Sequence, residues 1–195
     1  MNEFLFYSKL GLYHILDWNA LDHLLFLVVL CLPYASKQWR NLIWLITLFT
    51  LGHTTTLGLA TYNIIKVDVK IIEFLIPVTI LIVALFNVFT AGKGAQKEKI
   101  GVLFFSTLFF GLIHGLGFAR EFHMLAGKSD NKFFLLIEFA LGIEISQVII
   151  VFTVLFLGFL AQTLFRLSKR DWIMVISAIV VGLVIPMILN SDFLS

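Results

Sequence analysis

The sequence predicts an all-α, polytopic membrane protein: a bundle of about six transmembrane helices plus a short N-terminal amphipathic helix. Three observations predict it. Of 195 residues, 60% are hydrophobic and only 13% charged, where ordinary soluble domains carry about 25% charged residues. The mean hydropathy is +1.01. The apolar residues fall into six runs near the roughly 20 residues that a helix needs to cross hydrocarbon, and they are continuous rather than alternating, which excludes a β-barrel. A net charge of +2 is too small for a polyanion partner, so no nucleic acid is expected. One cysteine, Cys31, leaves no disulfide framework and no cysteine-based metal site within one chain. No stretch reads as a soluble domain, so residues 1–195 are expected to form one transmembrane domain.

Taken in order, the runs are Trp18–Tyr34, Leu42–Ile65, Ile71–Ala91, Ile100–Ala119, Phe133–Phe165 and Trp172–Leu189. Short polar breaks separate them, among them Gly92–Lys99 and Arg120–Lys132. Trp18, Trp39, Trp44 and Trp172 stand at span starts, and Tyr34 and Tyr62 at span ends. Trp and Tyr favour these positions because one side of the ring is apolar and the other polar. The first 16 residues lack a basic region and a small-residue cleavage site, so they are not read as a cleavable signal. Their spacing suggests an amphipathic helix on the outer surface.

Eight basic residues follow spans one, three and five: Lys37, Arg40, Lys93, Lys97, Lys99, Arg166, Lys169 and Arg170. Six lie on the opposite side: Lys9, Lys66, Lys70, Arg120, Lys128 and Lys132. The positive-inside rule then puts the denser set in the cytoplasm. The chain is expected in the cell (inner) membrane with both termini extracytoplasmic. The lipid bilayer is one partner, and a homo-oligomer is compatible with the sequence.

Ionisable residues within spans are costly and mark functional sites by default. Among them are Asp22, His23, His53, His114, Glu138 and Glu144. At a rise of about 1.5 Å per residue, His23, His53, His114 and Glu144 all fall in the outer half of the bilayer. Asp22, His23, His53 and His114 are therefore expected to converge, with Glu144 beside them or directly behind. Asn19 and Asp22 also have capping-box spacing, and that reading stands beside a ligand role. Thr50, Thr54, Thr55 and Thr56 flank His53 and either orient it or bond back to their own helix. Gln147 shares a helix face with Glu144, whereas Glu138 lies nearer the interface and about 120° around. Gly111, Gly115 and Ala119 form a small-residue stripe that lets a neighbouring helix approach His114 closely. His123 is expected to be solvated in an outer loop. On the inner side, only Asn87 and scattered Thr and Ser offer polar groups.

Imidazole nitrogens with carboxylate oxygens suit a divalent ion such as zinc, nickel or cobalt, and the lack of Cys and Met at this depth argues against copper(I). No phosphate-binding loop, dinucleotide fingerprint or nucleophile elbow is present, and no catalytic residue is assigned.

Several segments resemble a known family. Gly11–His14 with Leu21–Phe26 is similar to the opening motif of the HupE/UreJ membrane family. Phe49–Leu57, Phe110–Ala119 and Glu138–Gln147 resemble its second-, fourth- and fifth-span motifs. The resemblance covers most of the chain. It implies a link to hydrogenase and urease accessory genes and to nickel permeases, and it adds His14 to Asp22, His23 and His114 as motif positions. Seven residues separate His14 from Asp22, where the nickel-linked branch has five, and Phe110–Ala119 holds one His and no acid. The chain is thus similar to the second branch, for which no particular metal is implied.

The first functional reading is a nickel-, cobalt- or zinc-type permease or a metal-handling accessory protein. The second is an intramembrane metal-dependent hydrolase or acyl transferase acting on lipid or lipid-anchored substrates, with Glu144 as base. A polar route leading inward from the site favours transport. A closed inner half with a lateral groove favours the enzyme.

Overall fold

The computed structural model describes residues 3–18, 20–92, 100–126, 129 and 131–194. Asn19, with its capping-box role, and Lys93, Lys97, Lys99 and Lys128 lie outside them. Among the described residues every regular element is helical. The helices are α1 (Glu3–Ile15), α2 (Asp22–Cys31), α3 (Trp39–Thr61), α4 (Val69–Thr90), α5 (Ile100–Gly117), α6 (Ala119–Ala126), α7 (Lys132–Thr163) and α8 (Lys169–Leu189). A 3-10 turn, Ser36–Gln38, precedes α3. Four helices, α3, α4, α7 and α8, are long and apolar enough to cross a membrane. The chain is a helical membrane protein.

The four long helices match the expected spans closely. Asp68 caps α4 by accepting a hydrogen bond from the Lys70 N–H (3.0 Å). Ser168 caps α8 in the same way, from the Asp171 N–H (3.1 Å). Such caps satisfy backbone donors that the first turn leaves open.

The expected continuous first span is different. Its helix, α2, has only 10 residues and is about 15 Å long, half the thickness of hydrocarbon. The 13-residue α1 precedes it, about 20 Å long. The two lie one after the other along α7. On α1, Gly11 meets the Phe139 carbonyl, while Gly142 of α7 meets that of Ser8. The end of α2 lies beside Val154 and Gly158. So α1 is docked on α7, and α1 and α2 follow one another along it as two short helices. The polar residue Asp17 and the outward-facing Trp18, 80% exposed, fall in the break between them.

The expected loop after α5 contains a further helix, α6. Phe122 and Ala126, one turn apart, turn inward and are buried. His123, expected to be solvated, instead donates a hydrogen bond through Nδ1 to the Thr61 carbonyl (3.1 Å) and ties α6 to the end of α3.

Neighbouring contacts order the ends of the bundle. Trp39 packs on Phe152, and Gly92 on Arg170, so the α2–α3, α4–α5 and α7–α8 connections share one end. Phe193 packs on Phe74 near the start of α4, and Tyr7 donates to the Leu125 carbonyl, so both termini share the other end. Asn87, a polar group on the inner side of the expected site, donates from its amide to the Val29 carbonyl (2.7 Å) and staples α4 to α2.

Candidate metal centre

Four helices bring four imidazoles to the break between α1 and α2. His14 closes α1 and His23 opens α2, while His53 and His114 come from α3 and α5. His23 is central. Its ring centroid is 4.7 Å from His14, 5.6 Å from His53 and 5.2 Å from His114. His23, His53 and His114 are each at most 3% exposed.

Small residues make this approach possible. A side chain on Gly111 would meet the Phe49 carbonyl, and one on Gly115 would meet the His53 carbonyl and the Thr56 hydroxyl. Gly52 of α3 faces the Leu108 carbonyl in return. Thr56 crosses the same seam by donating to the Leu112 carbonyl (2.8 Å). Ala119, expected to extend the stripe, is instead the first residue of α6.

Two side chains fix which ring nitrogens carry protons. Asp22 accepts from the His23 backbone N–H (2.8 Å) and faces His23 Nδ1 at 3.1 Å. A proton on Nδ1 leaves the lone pair on Nε2. On the other ring, Thr79 gives its one proton to the Ile76 carbonyl (2.7 Å). Its oxygen can then only accept from His114 Nε2 (3.2 Å), which leaves the lone pair on Nδ1. Thr79 is buried in α4 and was not anticipated, since a threonine in an apolar run carries no signal of its own.

The nitrogens left over lack protein partners. His14 Nε2, His23 Nε2, both nitrogens of His53 and His114 Nδ1 are buried without a hydrogen bond. Each such atom costs about 1–3 kcal/mol if nothing binds it. Two overlapping triads, His14–His23–His53 and Asp22–His23–His114, each bring one ligand atom per residue within 4.8 Å of the others. Ligands about 2 Å from one ion are about 3.4 Å apart in tetrahedral geometry, a spacing that falls inside the 4.8 Å bound of each triad. The chemistry fits a divalent transition ion: neutral imidazoles, one carboxylate, and a carboxylate–imidazole pair of the kind that orients metal-bound histidines.

The cluster lies between two aromatic layers. Phe26 and Phe49 stack at 4.9 Å on the α2 side. Phe118 and Phe139 stack at 5.3 Å on the other side. These rings lower the local dielectric and strengthen an ion–ligand contact.

The remaining expected residues lie around this core. Glu144 stands outside both triads, and its carboxylate accepts from Thr47 (2.6 Å) and Thr50 (2.6 Å). Gln147 is linked to the same Thr50 hydroxyl (2.9 Å). Thr55 bonds back to the Leu51 carbonyl, and the Thr54 hydroxyl is buried without a partner. Glu138 is half-buried, with Oε2 unpartnered.

A model of one protein family, described as HupE / UreJ protein, matches residues 1–190. No curated protein and no solved structure gives a match. With the family model spanning nearly the whole chain, the protein belongs to the HupE/UreJ family.

Proposed function

We propose that this chain is a membrane permease for a divalent transition ion of the nickel, cobalt or zinc kind, and that the imidazole cluster is where the cargo ion pauses. The observation that carries this reading is the set of five buried, unpartnered ring nitrogens on four helices. The half-helices α1 and α2 support it, because broken passages that meet at a polar site are a device of carriers. So does the polar ladder of Thr50, Gln147, Glu144 and Thr47, which leads from His53 toward the Trp39 end while Phe26 and Phe49 block the direct way.

The test is binding and uptake together. Purified wild type should hold about one equivalent of Ni²⁺, Co²⁺ or Zn²⁺ by elemental analysis, and His53→Ala/His114→Ala should hold almost none. Proteoliposomes should accumulate the same ion with the wild type and not with the double variant. Equal metal content in the two proteins, or uptake no faster than through empty vesicles, would reject the reading.

On this reading the end rich in Lys and Arg faces the cytoplasm and the chain is multi-pass in the inner membrane. A reporter fused after Ser195 should then behave as extracytoplasmic. A cytoplasmic signal would reverse the direction of transport.

A further inference from the structure

We propose that Glu144, Thr47, Thr50 and Gln147 form a second cation site, separate from the imidazole cluster and made only of oxygen donors. Its place as the next station for the cargo rests on the transport reading, but its existence as a binding site does not.

The geometry starts on α3. Thr47, Thr50 and His53 follow one another at intervals of three residues, so Thr50 is about 4.5 Å along the axis from His53. Opposite them, α7 presents Glu144 and Gln147 one turn apart. Thr47 donates to Oε1 of Glu144 and Thr50 faces Oε2, each at 2.6 Å. Thr50 also lies 2.9 Å from Oε1 of Gln147. Five oxygens from four side chains thus gather within about one helical turn between α3 and α7.

Two features point to a ligand. Threonine–glutamine hydrogen bonds would join these helices without a charge, yet the site holds an ionisable carboxylate inside an apolar bundle, where such a group is expensive to keep. Among the described residues no cationic side chain pairs with this carboxylate, so a bound cation would supply the missing charge. Gln147 is 0% exposed and turns its side-chain oxygen, the atom able to ligate a cation, toward Thr50 at 2.9 Å. The hydroxyls now turn their protons toward neighbouring oxygens, and rotation about the Cβ–Oγ bonds turns lone pairs inward for a cation.

The donor types separate the two sites chemically. Imidazoles favour nickel, cobalt and zinc, whereas carboxylate, hydroxyl and amide oxygens favour harder ions and hold transition ions more weakly. A strong nitrogen site followed by a weaker oxygen site suits a path along which an ion must both enter and leave.

The experiment uses full-length protein in nanodiscs with Co²⁺ and Mn²⁺ as probes. Co²⁺ reports the imidazole cluster through its visible absorption, and Mn²⁺ reports oxygen donors through its paramagnetic resonance. Glu144→Gln, which preserves shape, should weaken Mn²⁺ binding by roughly tenfold or more, since ligand charge sets affinity at oxygen sites, and should leave the Co²⁺ spectrum unchanged. His53→Ala/His114→Ala should show the reverse. Glu144→Asp should retain part of the Mn²⁺ affinity, and Thr47→Val/Thr50→Val should lose part of it. Wild type that binds no Mn²⁺, or Glu144→Gln that binds it as wild type does, would overturn the second site. So would loss of the Co²⁺ spectrum in a folded Glu144→Gln protein, because Glu144 would then belong to the imidazole cluster. Failure of the wild type to take up metal would sink transport and leave these binding results standing.

Discussion

His23→Ala is expected to abolish metal binding, with affinity reduced by more than about 100-fold, while His14→Ala and His114→Ala each reduce it less. The asymmetry comes from geometry. His23 is the one residue common to both triads, and its ring is within 5.6 Å of each of the other three. Removing His14 leaves the Asp22–His23–His114 group, and removing His114 leaves the His14–His23–His53 group. Asp22→Asn should cost about 10- to 100-fold, since it removes both the charged member of the second triad and the acceptor that holds the His23 ring. Isothermal titration with Co²⁺ measures all four. If His23→Ala binds as tightly as His114→Ala, the shared position has no special role and two independent pairs must be considered.

How much of this was legible differs residue by residue. His53 and His114 stood out because an imidazole inside a long apolar run has to be explained. Their neighbours Gly111 and Gly115 could be read for the same reason in reverse, since small residues at a four-residue interval mark a close helix approach. His14 was reached only through the family resemblance. It lies in a segment that hydropathy alone assigns to the surface, and nothing local says that α1 docks on α7. The boundary between α1 and the first span is legible near Trp18, but the late start of α2 at Asp22 is not, because Trp18 reads equally well as an interface anchor and as a residue in a turn. Thr79 and Thr47 were invisible for another reason: a threonine hydroxyl in a span normally bonds back to its own helix, as Thr61 does to Leu57 (2.7 Å). Only the tertiary structure shows that Thr79 meets His114 and Thr47 meets Glu144.

The docking of α1 leads to the other large effect. A side chain on Gly142 would overlap the Ser8 carbonyl, and one on Gly11 would overlap that of Phe139. Both clashes are with backbone, so neither can be relieved by rotating a side chain. Gly142→Val should therefore push α1 off α7 while the α3–α5 seam, built from other glycines, stays closed. Because α1 carries His14, the variant should lose metal affinity by about as much as His14→Ala, roughly tenfold. The two changes act through one displacement, so the double variant Gly142→Val/His14→Ala should be no weaker than either alone, a coupling that a double-mutant cycle measures directly. Trypsin cleavage at Lys9 should become faster in Gly142→Val and stay slow in His14→Ala, which separates a moved helix from a missing ligand. Gly182→Ala is the control, since a Cβ there meets nothing within 4 Å. Additive losses in the double variant would mean that α1 remains docked and that Gly142 acts on the site through α7 instead.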